Sequence, residues 1–188
     1  MRYWDPSDDY RGDNEPVDRQ RLKRAKDQLL KVLRKLRRRS KFNVITFSDR
    51  VINWKKSIVA TSRGNLGQAR KFVTGLQANG LTHTDDALEK AFKDPGIDTI
   101  CLLSDGAPTK QNAPQGAAFQ QQILQRVKDL NASRKLRINT FGFDDRGVAP
   151  NQPRPNPLPA PIPAGQNELV GFLKKLAEEN GGTYHSIK

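Results

Sequence analysis

The segment TICLLSDGAPT, residues 99–109, constrains the fold more than any other part of the chain. Four apolar residues, Ile100 to Leu103, run without alternation into Ser104, Asp105 and Gly106. A run this short and uniform reads as a strand covered on both faces, the environment of a parallel sheet flanked by helices. It empties onto a carboxylate. In open α/β sheets ligands bind beyond the carboxyl ends of the strands, so Asp105 is a candidate binding residue. Its local alternative is a turn-forming Asp-Gly pair.

The rest of the chain alternates helical and extended patterns around that strand. Leu22, Ala25, Leu29, Leu33 and Leu36 recur at helical spacing, with Leu30 and Val32 widening the stripe. KFNVITFS reads as a strand, and RVINWKK, only Ser48 and Asp49 later, as its antiparallel hairpin partner. Gly64 to Ala78 is periodic, and LTHTDDALEKAF opens a further helix. There Thr82 or Thr84 stands where an N-cap would, with Asp85 and Asp86 in the first turn. Phe119 to Leu130 and ELVGFLKKLAEEN read as helices, LRINTFGFD and TYHSI as strands. Strands separated by helices imply a three-layer α/β fold with a mainly parallel sheet and one antiparallel edge strand. Residues 1–18 show no period. Residues 150–163 hold seven of the 12 prolines and read as an extended excursion. The expected organisation is an irregular segment 1–18 and one domain 19–188, with a proline-rich insertion at 148–166.

The net charge of +13 is concentrated. Arg19 to Lys41 contains twelve Lys/Arg and one acid, Asp27. Such a segment is either a solvated helix face or a landing surface for nucleic acid, acidic protein or anionic lipid. Its focus would be Arg34, Lys35, Arg37, Arg38, Arg39 and Lys41. No aromatic residue is interleaved, which argues against stacking on single strands. The single cysteine, Cys101, excludes an intrachain disulfide framework and a thiolate zinc cluster, and its place in the apolar run predicts an inert core thiol. No apolar stretch is long enough to span a membrane, and MRYWDPSDDY lacks the pattern of a signal peptide. His83 and His185 do not form a metal pair by spacing; GNLGQARK lacks the pattern of a phosphate loop; no Ser-His-Asp or GxSxG arrangement is present.

Five segments in order, RLKRAKDQLLKVL…FNVITFSDRV, GLTHTDDAL, ICLLSDGAPT, INTFGFD and LAEENGGTYHSI, resemble those of the von Willebrand factor A domain. The resemblance covers roughly residues 20–188. It implies a Rossmann-like fold and non-enzymatic protein–protein interaction through a metal-ion-dependent adhesion site. There Mg²⁺ or another divalent cation bridges to an acidic residue of a protein partner. The family's threonine maps to Thr82 and its aspartate to Asp105. The DxSxS motif and the central first strand that precedes it have no counterpart. DPSDD offers Asp5, Ser7 and Asp9 in a similar alternation, but only MRYW precedes it, too short and polar for a central strand. The resemblance therefore predicts the first strand and DxSxS upstream of Met1. For the chain as it stands it predicts weak or absent Mg²⁺ binding and a gap or rearrangement at the centre of the sheet. The alternative function is a basic nucleic-acid-associated module.

Overall fold

A computed structural model describes residues 17–77, 81–104, 107–143 and 164–187. The irregular segment and the proline-rich excursion lie outside these residues, except where α1 and α5 begin. The elements are α1 (Val17–Lys35), β1 (Lys41–Phe42), β2 (Ile45–Phe47), β3 (Val51–Asn53), β4 (Val59–Ala60), α2 (Arg63–Thr74), α3 (Thr84–Phe92), β5 (Thr99–Ser104), α4 (Ala117–Arg134), β6 (Arg137–Phe143), α5 (Ala164–Glu178) and β7 (Tyr184–Ile187). The segment GNLGQARK, which lacks the pattern of a phosphate loop, is part of helix α2.

β5, β6 and β7 form a parallel sheet in that order, with Ile100 opposite Ile138 and Phe141 opposite His185. Alternation along β6 sorts the two faces. Ile138 packs with Ile100, Leu102 and the apolar sides of α3, α4 and α5, while Phe141 and Phe143 pack with Leu103, Ile187 and Ala25 and Val32 of α1. The three layers are thus helix, sheet, helix. On the α5 side Thr140 is fully buried and donates its hydroxyl to the Leu173 carbonyl at 2.8 Å. Gly182 lets the turn before β7 lie against β6, since a Cβ there would fall 1.9 Å from the Ile138 carbonyl oxygen.

The expected hairpin forms, with Thr46 opposite Ile52 in antiparallel register. The expected single strand KFNVITFS is broken in two. Asn43 Oδ1 accepts from the N–H groups of both Val44 and Lys55, and its Nδ2 donates to the Lys55 carbonyl. A side chain thus takes the place of ladder bonds at the break. β1 then pairs antiparallel with the two-residue β4, which sequence pattern did not reveal. A second core, built on Leu33, Phe42, Val44, Ala69 and Val73, joins these strands to α1 and α2.

Among the described residues the strands fall into three separate sheets, and no ladder links β2 to β5. The expected disruption at the centre of the sheet is present. It has a consequence for Cys101, which is exposed and not the core thiol expected. The residue points to the α1 side of β5, where the parted sheet leaves open space; protein packed around it still pushes the thiol pKa up, with an Asn139 hydrogen bond opposing.

Candidate functional site

Three loops converge where the strands end. After β2, the Ser48 carbonyl accepts from the His83 N–H at 3.3 Å, and Asp49 Oδ1 accepts from the Leu81 N–H. After β5, Thr109 and Thr82 are joined twice. The Thr109 N–H donates to the Thr82 carbonyl at 3.0 Å, and the Thr82 N–H donates to Thr109 Oγ1 at 2.9 Å. β2 and β5 therefore point the same way, and the loop carrying Thr82 bridges their carboxyl ends. Asp105 itself lies outside the described residues.

Thr82 and Thr84 are not the N-cap of α3. His83 holds that position, without a side-chain cap bond, because the backbone turns there through a Thr84 N–H to Thr82 carbonyl bond. Thr84 is fully buried, and among the described residues its hydroxyl, His83 Nε2 and Asp85 Oδ1 have no hydrogen-bond partner. Asp85 and Asp86 do lie in the first turn, as expected. They have a further role that their position at a helix start concealed. Lys110 Nζ lies 2.7 Å from Asp85 Oδ2 and 2.7 Å from Asp86 Oδ1. Burial pulls the Lys110 pKa down, but the hydrogen bonds and charges of Asp85 and Asp86 outweigh it and raise it. Thr109 and Lys110 were missed in the sequence because a non-periodic loop carries them. Beside them a depression of about 830 Å³ is lined by Asp49, Leu81, His83 and Lys110, with Leu81 exposed.

The donor set does not by itself fit a resident Mg²⁺. Mg²⁺ demands a near-octahedral shell of hard oxygens. Here one oxygen of each of Asp85 and Asp86 is already paired with the Lys110 ammonium group. Among the described residues no group of three or more His, Cys, Asp or Glu is placed to hold a metal ion. The given sequence contains no DxSxS motif, and Asp105 lies outside the described residues.

The six basic residues are at the other end of the domain. Arg34 and Lys35 close α1, and Arg37, Arg38, Arg39 and Lys41 lead into β1; all six are exposed. They stand before the strands begin, whereas Thr82 is bonded to the loops that follow them. His185 is held in β7, stacked on Phe141 with ring centroids 4.8 Å apart.

Residues 15–152 match the sequence model of the von Willebrand factor type A domain. The chain belongs to that family. It is 30% identical over 180 residues to inter-alpha-trypsin inhibitor heavy chain H4 of Bos taurus, covering 89% of this chain and 17% of that protein. It is 27% identical over 144 residues to von Willebrand factor A domain-containing protein 3A of Homo sapiens, covering 77% of this chain and 10% of the relative. The chain thus spans a small part of the curated relatives it matches. Its fold is similar to a von Willebrand factor type A structure from Catenulispora acidiphila, with a TM-score of 0.61 at 16% identity over 89% of this chain and 34% of that one. The Rossmann-like three-layer architecture is that of the family, and membership is consistent with a protein–protein interaction domain. Among the described residues no helix is long and apolar enough to cross a membrane.

Proposed function

We propose that this von Willebrand A domain is a non-enzymatic interaction module of adhesion or scaffold type. It meets a protein partner at the rim made by residues 48–49, 81–83 and 107–111. The observation that carries this reading is the pair of hydrogen bonds between Thr82 and Thr109, which fixes the rim loops in one arrangement. Beside it stand the exposed Leu81 and the Lys110–Asp85–Asp86 cluster. An apolar anchor bordered by polar groups is the anatomy of a protein interface. Thr82 and Asp105 form a partial metal site whose affinity for Mg²⁺ is weak or nil, because two donors leave most of the octahedral shell to water. An acidic residue of the partner adds a third donor.

The test is affinity capture with the chain itself, a Leu81→Asp variant and an Arg37/Arg38/Arg39 triple-alanine variant. Partners lost with Leu81→Asp and kept by the triple variant support the rim. Partners insensitive to Leu81→Asp overturn it. Calorimetric titration with Mg²⁺ is expected to show binding no tighter than millimolar, weakened further by Thr82→Ala or Asp105→Ala.

A second reading rests on the six exposed cations at the opposite end. A nucleic-acid-associated module would bind random-sequence DNA with an affinity that falls steeply with salt. Retention of that binding at about 150 mM salt, and its loss in the triple-alanine variant, would favour this reading over the rim.

A further inference from the structure

The charge of this domain is divided unequally between its two helix layers. α1 and α2 form one layer, joined through Leu33, Ala69 and Val73, and α3, α4 and α5 form the other. The second layer is balanced, with six Lys/Arg and six Asp/Glu in its three helices. α1 and α2 carry eleven Lys/Arg against Asp18 and Asp27. Along the whole run 19–84, which holds most of α1, all of β1–β4 and α2, the only acids are Asp27 and Asp49. Its eighteen Lys/Arg give it a larger positive charge than the +13 of the whole chain, so the remainder is net acidic. The domain is polarised, and the α1–α2 side is its cationic face.

Two contacts set the geometry of that face. Lys26 Nζ donates to the Thr74 carbonyl at the end of α2, and the Thr61 N–H, just before α2, donates to the Ser40 carbonyl beyond α1. The helices therefore lie side by side and antiparallel, which brings Arg63 to the end of the domain where Arg37, Arg38 and Arg39 stand. On α1, Lys23, Asp27, Lys31 and Arg34 follow at i, i+4, i+8 and i+11 and make one exposed stripe. Ala25, Leu29, Val32 and Leu33 point the other way, into the two cores. Arg63, Arg70 and Lys71 are exposed on α2, whose Ala69 and Val73 are buried. Among the described residues none of these six cations has an acidic partner within ion-pair distance. Among the same residues the exposed large apolar side chains are Ile52 and Leu81, on neither helix.

Unpaired charge spread this widely selects its counterpart. A duplex major groove is about 12 Å wide and admits one helix, whereas two helices abreast span about 20 Å. Anions must be arrayed in a plane to meet both at once. A leaflet containing anionic phospholipid is such a plane, and each Lys or Arg near it raises partition about fivefold. The exposed stripe has no apolar side chain to bury among acyl chains, so attachment is electrostatic and peripheral. We propose that the α1–α2 face is a docking surface for bilayers containing anionic phospholipid. Lys23, Lys31 and Arg34 of α1 and Arg63, Arg70 and Lys71 of α2 meet the headgroups. The rim of the proposed function lies at the carboxyl ends of the strands, outside this face, and neither site depends on the other.

The experiment measures co-sedimentation of the purified chain with phosphatidylcholine vesicles, with and without about 30% phosphatidylserine, at about 0.1 M salt. The chain is expected to bind only the anionic vesicles and to be released at about 0.5 M salt. Arg63→Ala/Arg70→Ala/Lys71→Ala is expected to lower the partition at least about tenfold, and Lys23→Ala/Lys31→Ala/Arg34→Ala to do the same. Arg63→Lys/Arg70→Lys keeps the charge and is expected to keep the binding. Circular dichroism and a thermal melt check the fold of each variant. Arg70→Glu carries the same test with a single exposed change and is expected to lower the partition at least about fivefold. Equal binding to both kinds of vesicle, or none to the anionic ones, would overturn the proposal. Binding untouched by all the α2 substitutions would also overturn it, since the charge that matters would then be confined to α1 and the turn after it. Random-sequence duplex DNA that strips the chain from the vesicles at equal phosphate concentration would assign the face to nucleic acid instead.

Discussion

Thr82 and Thr109 hold each other through two hydrogen bonds of 3.0 and 2.9 Å, one backbone to backbone and one from backbone to hydroxyl. They are 27 residues apart in sequence. This pair joins the loop before α3 to the loop after β5, so the rim keeps its shape only while it persists.

Removing the hydroxyl tests that dependence. Thr109→Val keeps the shape of the side chain and leaves the Thr82 N–H without its partner. It is expected to cost about 1 kcal/mol in urea unfolding. Amide exchange is expected to rise at residues 81–83, and Thr109→Ser to restore both.

Lys110 neutralises two neighbouring carboxylates, so Lys110→Met leaves Asp85 and Asp86 facing each other. With the cluster partly exposed, the expected cost at neutral pH is about 1 kcal/mol. Asp86→Asn should recover part of it in a double-mutant cycle. The pH dependence has a definite sign. A lysine whose pKa is raised in the folded state contributes its stability fully below the unfolded value. That contribution is lost as pH rises through the folded value. The gap between the native chain and Lys110→Met in urea midpoint should therefore narrow above about pH 10.4.

Gly182→Ala places a methyl where the Ile138 carbonyl stands and is expected to cost at least about 3 kcal/mol or abolish folding. Gly171→Ala is the internal contrast. It lies on the exposed side of α5 with nothing within 4 Å of a built Cβ, so a gain of up to about 1 kcal/mol is expected from helix propensity. Thermal melts of the two variants, read side by side, separate a close approach of backbones from a general dislike of substitution.

Ile138 is fully buried between the sheet and the helices. Ile138→Ala is expected to destabilise by about 2–5 kcal/mol in chemical denaturation.

Much of this architecture was legible in periodicity. The stripe of α1, the hairpin of β2 and β3, and the order of β5, β6 and β7 follow from residues repeating at 3.6 or lying in apolar runs. The features that escaped depend on single side chains or on distant contacts. Asn43 breaks a strand whose apolar pattern runs straight through it. β4 has two residues, too few to show a period. Cys101 has the sequence neighbours of a core residue; the gap beside β5 among the described residues was legible through the resemblance to the family, but the exposure of Cys101 that goes with it was not. At the rim, Thr82 was legible through its resemblance to the family's loop. Thr109 and Lys110 acquire their roles only because the fold brings residues 107–111 against residues 81–86.

Among the described residues no ladder joins β2 to β5, and labelling Cys101 with iodoacetamide in the native protein tests that separation most directly. With space between β2 and β5, alkylation is expected to proceed in the folded state at a rate insensitive to low urea. Its pH profile should be displaced to the alkaline side of free cysteine, as the raised thiol pKa requires. Labelling that occurs only in proportion to global unfolding, rising with urea along the same slope as the unfolding equilibrium, would contradict an open sheet.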